Sequence, residues 1–133
     1  MEQKKIFFHE REAKETQLEG RAVRWILTPE TCGGQYSSVC TVIYEPNKRA
    51  RPAHSHPDGE ETAYVISGKG KVKVGDLISE IEPGSIVFFP QGVPHMVWNC
   101  QDDPLHMVCF YAPAQKATGY KYYEDFDFPE FKK

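Results

Sequence analysis

The stretch HSHPDGEETAYVISG, residues 54–68, decides how this chain is read. His54 and His56 stand two apart, so an extended backbone sends both imidazoles to the same face. Pro57, Asp58 and Gly59 are turn residues. Glu61 then heads an apolar run, TAYVIS, that stops at Gly68. A carboxylate there can return to the face that carries the histidines. His95 supplies a fourth group of the same chemistry in GSIVFFPQGVPHMVWN (84–99), again at the head of a strand-like run after a Pro/Gly turn. An HxH pair alone is more often a solvated loop pair than a site, and an isolated histidine after a proline is a weaker sign still. Together, three imidazoles and a carboxylate suit one divalent transition metal (Fe, Mn, Ni or Zn), with positions left open for water or substrate. The expected geometry takes His54 and His56 from one strand, Glu61 from the neighbouring strand and His95 from across the fold.

Around these groups the chain is a series of short β-branched and aromatic runs, cut by Gly, Pro, Asn and Asp. AVRWILT, YSSVCTVIYE, TAYVIS, KVKV, LISEIE, SIVFF, HMVWN and LHMVCFYA each fit a strand, and the intervals between them carry turn chemistry. In KVKV, Lys71 and Lys73 take one face, Val72 and Val74 the other. Short strands with almost no helical periodicity indicate an all-β sandwich or barrel. Residues 9–19 (HEREAKETQLE) hold the little helix there is, and they are too polar to form much of a core face. The basic cluster NKRAR (47–51) reads as a solvated turn.

At 133 residues the chain is long enough to bury one core without staples, so a single domain is expected. A net charge of -3 gives no pull toward nucleic acid or an anionic membrane, and neither is an expected partner. The N-terminal MEQKKIFFHEREAKE lacks the continuous apolar stretch of a signal peptide, and no run reaches transmembrane length. Cys32, Cys40, Cys100 and Cys109 show no CxxC spacing and read as reduced thiols of a cytoplasmic protein. The organisation divides into an N-terminal extension with the first strands (1–35), a barrel core (36–113) and an aromatic tail (114–133). That tail packs on the barrel or on a partner.

The fixed positions carry a resemblance to a known family. Residues 54–68 read HxH, four residues, Glu61, six residues, Gly68, which resembles the first cupin motif. Residues 84–99 read Gly84, five residues, Pro90, one, Gly92, two, His95, three, Asn99, which matches the second cupin motif at every fixed position. The resemblance covers about residues 40 to 113. It implies a small single-domain cupin: a jelly-roll β-barrel with a metal inside its mouth, held by His54, His56, Glu61 and His95. One departure is Lys48, where the first motif usually opens with glycine; neighbouring Asn47 tolerates a left-handed turn instead. Gly68 and Gly84 fall where strands turn sharply, and Gly92 lets its loop fold back beside His95. Pro90 and Pro94 stiffen the approach to His95. Asn99 shares parity with His95 and has the structural role of tying down a turn.

Cupins host dioxygenases, decarboxylases, isomerases, lyases and sugar-binding modules, so the resemblance does not name the chemistry. Parity with His95 turns Val97 and Asn99 inward and Met96 and Trp98 outward. On the last strand Leu105, Met107, Cys109 and Tyr111 face the lumen, with His106, Val108 and Phe110 outside. The sequence is unlike the small pectin-degradation cupins, which carry Gln at the position of Glu61 and Asp at that of Cys109. Cys109 reads as packing, because no activating base stands beside it, and His106 as a surface histidine. Few acid–base groups line such a pocket. The expectation is a metal-dependent enzyme, dioxygenase- or decarboxylase-like, acting on a small organic acid, enol or sugar, with Glu61 and Tyr111 as its catalytic residues. The alternative is a metal-dependent module that binds or senses a small molecule or carbohydrate without turnover. The apolar rings of YKYYEDFDFPEF (120–131) and IFF (6–8), with Trp98 and Phe110 on the outer faces, point to a homodimer.

Overall fold

The protein is described from a computed structural model covering residues 5–114 and 119–132. Twelve strands follow in order: β1 Glu15–Leu18, β2 Arg21–Leu27, β3 Ser38–Tyr44, β4 Lys48–Arg49, β5 Ala53–Ser55, β6 Glu60–Ser67, β7 Gly70–Val74, β8 Leu77–Ile81, β9 Ile86–Phe89, β10 His95–Asn99, β11 Leu105–Ala112 and β12 Lys121–Tyr123. They form two antiparallel sheets, β1-β2-β3-β11-β6-β9 and β12-β5-β10-β7-β8, with β4 added beside β10. The fold is an all-β jelly-roll barrel, and its period-2 alternation builds the interior. Val23, Val42, Val65 and Met107 from the first sheet meet Val72, Ile81 and Val97 from the second in one core. Among the described residues no helix is long and apolar enough to cross a membrane.

The facing of β10 and β11 follows the sequence parity. Leu105, Met107, Cys109 and Tyr111 are buried in alternation with the more exposed His106, Val108 and Phe110. A register shift against β6 between His106 and Met107 leaves that alternation intact. Gly68 has φ +84°, and a Cβ there would lie 2.2 Å from the Pro104 carbonyl oxygen, so only glycine fits the turn after β6. The left-handed residue before β4 is Asn47, at φ 59°. It supplies the turn beside Lys48, where the motif's opening glycine is missing.

Three local expectations are corrected. Residues 9–19 hold only a 3-10 turn at Glu10–Glu12; Glu15–Leu18 is an edge strand paired with β2, because sheet pairing outweighs the weak helical preference of a polar stretch. A single-turn helix, α1 Pro29–Cys32, also forms, capped by Thr28 and ended by Gly33 at φ 77°. NKRAR is not simply a solvated turn. Arg49 pairs in register with Trp98, lies 3.7 Å over the Phe131 ring and forms an ion pair with Asp127.

The aromatic tail settles on its own barrel. Phe128 is 0% exposed and packs with Met96, Ala53 and Trp98 on the outer face of the second sheet. Lys73 donates to the Asp127 carbonyl at 2.9 Å and covers the Phe126 ring at 4.4 Å. Trp98 therefore does not offer a free face to a partner, because Phe128 and Phe131 of the same chain already cover it. Burying a phenylalanine in this way contributes on the order of 2–3 kcal/mol.

Candidate metal centre

Each candidate ligand is placed by a different feature of the barrel. His54 lies on β5 and pairs directly in register with His95 at the head of β10. His56 follows the end of β5, where its carbonyl accepts from Gly92 N at 3.1 Å, which joins the loop before His95 to the HxH segment. Glu61 lies on β6, in the facing sheet, beside Tyr111 of β11. The expected roles of Glu61 and His95 are thus exchanged: His95 is the strand neighbour of His54, and Glu61 comes from across the barrel. The Pro57–Gly59 turn is the reason, since it carries the chain from one sheet into the other.

The four side chains converge. Their ligand atoms all lie within 4.8 Å of one another, a cluster that can hold a metal ion. His95 Nε2 is 3.2 Å from His54 Nε2 and 3.6 Å from Glu61 Oε1. His56 Nε2 lies 3.0 Å from Glu61 Oε1, yet both atoms are buried without an aligned hydrogen-bond partner. Buried polar atoms left in that condition are costly unless something else satisfies them. Atoms that crowd one point without bonding to each other are the arrangement a shared cation satisfies. His95 Nδ1 faces the Val93 carbonyl at 3.3 Å, a contact that orients the ring and leaves Nε2 toward the cluster.

The electrostatics suit ligands in their metal-binding forms. Burial, with the nearby charges of His95 and Arg21, holds His54 well below the usual imidazole range, and burial brings His95 down to about 4. Both rings are neutral near pH 7, as ligation requires. Burial pushes the Glu61 carboxyl up, but the close approach of the His56 ring and the charges of His95 and His56 outweigh it, so the group lies below its ordinary value and is ionised. Burial raises the Tyr111 phenol well above its usual range, and Tyr120 likewise. These hydroxyls remain protonated donors.

A cavity of about 20 Å³ adjoins the cluster, room for one or two water-sized groups. Arg21, Tyr44, Tyr111 and Tyr120 line it together with His54, Glu61 and His95. Tyr120 stacks on His54 at 4.8 Å between ring centroids and meets His56 edge-on at 4.9 Å, so the tail closes over the imidazoles. Tyr111 lies beside the cluster, 4.9 Å from the His56 ring, with its oxygen 3.8 Å from Cys40 Sγ. Cys109 is buried at the Cys40 register position, and its hydrogen bond with Cys40 and burial raise its thiol well above the usual range. It is inert packing of the barrel wall rather than an activated nucleophile. His106 lies outside, 3.0 Å from Glu10 Oε2. Asn99 donates to the Tyr44 and Asp103 carbonyls at 3.1 and 2.8 Å and accepts from Gln101 N at 3.0 Å, so it ties down the β10–β11 turn.

Sequence reasoning missed Arg21 and Tyr120. Arg21 heads an alternating row with Val23 and Trp25, which pair with Val42 and Cys40, so parity marked it as inward. Tyr120 had no local signal; the tail pairs β12 with β5, and only that pairing brings it over His54.

The chain resembles several known proteins. An uncharacterized protein of Methanocaldococcus jannaschii is 25% identical over 91 residues, 68% of this chain and 72% of that protein. The polyketide synthase CurC of Streptomyces cyaneus is 26% identical over 103 residues, 77% of this chain and 66% of that protein. Among solved structures, the oxalate decarboxylase of Lactobacillus farciminis in its formate complex superimposes with TM-score 0.76 at 23% identity. The match covers 86% of this chain but only 35% of that one. An uncharacterized double-stranded β-helix protein of Klebsiella pneumoniae superimposes with TM-score 0.71 at 22% identity over 90% of this chain and 97% of its own. At such identities these structures share the fold. The family profile of the cupin domain matches residues 40–111, from Cys40 on β3 through all four clustered groups to Tyr111 on β11, and the protein belongs to the cupin domain family.

Proposed function

We propose that the protein is a mononuclear metal-dependent enzyme, decarboxylase- or dioxygenase-like, acting on a small organic acid or enol. One observation carries the reading: His56 Nε2 and Glu61 Oε1 are buried, unpartnered and aimed at the point that His54 and His95 also face. His54, His56, Glu61 and His95 would hold one divalent ion, which supplies Lewis acidity and an open coordination position when bound. Tyr120 and the apolar wall exclude bulk water. Tyr111, kept protonated by burial, has the position of a proton donor beside Glu61. Among the described residues Glu61 is the one carboxylate lining the cavity, placed to take a proton there.

Elemental analysis of protein purified without chelator should find close to one transition metal per chain; stoichiometric calcium or no metal would overturn the reading. Dioxygen consumption and carbon dioxide release by Fe(II)- and Mn(II)-loaded protein are then measured against enols, catechols and short organic acids. Oxalate belongs in that panel, since the solved oxalate decarboxylases share this barrel. Glu61→Gln should keep much of its metal through the three histidines and lose turnover. Tight binding of a sugar or carboxylate, with a flat result across the panel, would favour a binding module instead.

The reading extends to a homodimer in a reducing, cytoplasmic setting. The described cysteines are free thiols. Tyr64, Ile86, Phe88 and Phe110 stand exposed on the outer face of the first sheet, where Phe110 and Phe88 both align with Thr62. A monomer by light scattering at micromolar concentration would remove the dimer.

A further inference from the structure

We infer that Arg21 is the anchor of an anion site and that the ligand of this barrel carries a carboxylate. The inference rests on the metal-centre reading above and narrows its substrate to one chemical class. Arg21 opens β2 and is 4% exposed, in the inward row that continues through Val23. It lines the same cavity as His54, Glu61 and His95. Its guanidinium has one hydrogen bond among the described residues, Nη1 to the Glu19 carbonyl at 3.3 Å, and no ion pair. Five donors with one neutral partner among the described residues leave this guanidinium without a protein counter-charge, free to take an anionic ligand.

The charge balance of the lumen points the same way. Glu61 is the sole carboxylate among the described cavity-lining residues. A divalent ion on the cluster would use that carboxylate and leave Arg21 and the ion with a surplus of positive charge in a low-dielectric space. A ligand carboxylate placed between them reduces that surplus by one charge and fills the guanidinium fork. The phenols of Tyr44, Tyr111 and Tyr120 border the same space and can donate to it. Room of about 20 Å³ accepts a carboxylate head and little more, so a longer acid must displace Tyr120. Arg21 also borders an outer pocket of about 370 Å³, with Arg51, Tyr122, Glu19 and Glu124 on its walls. It therefore borders both the outer pocket and the cavity of the cluster.

Formate and its neutral isostere formamide are titrated against the full chain, Zn(II)-loaded and in chelator, with binding read from ligand NMR line widths. Formate should bind more tightly than formamide by about tenfold or more in both states. Arg21→Met should retain its metal and weaken formate by about 10- to 100-fold, leaving formamide within about twofold; Arg21→Lys should fall between. Far-ultraviolet circular dichroism and elemental analysis verify fold and metal. A folded, metal-replete Arg21→Met that binds formate like the natural chain overturns the anchor. So does a natural chain in chelator with no preference for formate. If Arg21→Met does not fold, the formate–formamide comparison on the natural chain decides. If the chain takes no metal, the metal reading falls, while an Arg21-dependent formate preference in chelator still supports the anion site.

Discussion

The two faces of β10 are buried to a similar degree and have opposite characters. Outward, Met96 and Trp98 lie under Phe128 and Phe131, with Lys71 and Lys73 placed over neighbouring rings and no buried side-chain nitrogen or oxygen left unpartnered among the described residues. Inward, His95 meets His54 and Glu61 in a cluster that keeps buried polar atoms unpartnered. The outer face has the packing expected of a stabilising core, extended by a tail. Among the described residues the inner face withholds such satisfaction at one point, where the cluster can hold a metal ion. Burial alone does not separate the two roles; the state of the buried polar atoms does.

The largest effect should come from the outer face. Phe128→Ala leaves a hole between Met96 and Trp98 and should cost about 3–5 kcal/mol in denaturant unfolding. Protein that remains folded should still bind metal, and a loss of metal in that folded fraction would break the separation of the faces. Next comes the inner face in its filled state. With free metal at about 1,000 times Kd, binding adds about 4 kcal/mol, so chelation should lower the melting temperature of the natural chain. The double variant His54→Ala/His56→Ala should show no such chelator effect; equal responses from both proteins would contradict a metal on that cluster.

Asn99 sharpens the comparison, because it faces inward and yet belongs with the satisfied groups. Asn99→Ala strands the Tyr44 and Asp103 carbonyls and the Gln101 amide and should cost about 1–3 kcal/mol, with metal content unchanged by elemental analysis. The smallest effect lies outside the barrel, at the Glu10–His106 pair. Partial burial pushes Glu10 up, but hydrogen bonds from Thr41 and His106 outweigh it and hold the carboxyl below its ordinary 4.5. The folded value is lower than the unfolded one, so the contribution is present above about pH 4.5 and lost as pH falls through the folded value. Glu10→Gln should flatten this part of the stability–pH curve, by under about 1 kcal/mol because the pair is partly exposed. An unchanged acid limb would show that the pair contributes nothing.

Legibility in the sequence followed the range of the interactions. The strand runs, the parity of β10 and β11 and the turn-holding role of Asn99 were readable because each depends on period-2 alternation or on turn residues within a few positions, and the four clustered groups because their spacing follows the two cupin motifs. Glu15–Leu18 was misread because it has no apolar face of its own and becomes a strand only by pairing with β2. Arg49 was misread because its partners, Asp127 and Phe131, lie far along the chain.

The sequence by itself determined which groups come together in the lumen: three imidazoles and a carboxylate, spaced so that strands could aim them inward. Only the tertiary structure decided how they are delivered, with His95 beside His54 and Glu61 arriving from the opposite sheet. It also decided what surrounds them, since Arg21 and Tyr120 enter the lumen from the first strands and from the tail. Side-chain direction is local to a strand, whereas sheet membership and the covering of a face are set by pairings between residues distant in the chain, and those pairings leave no periodic trace in the sequence.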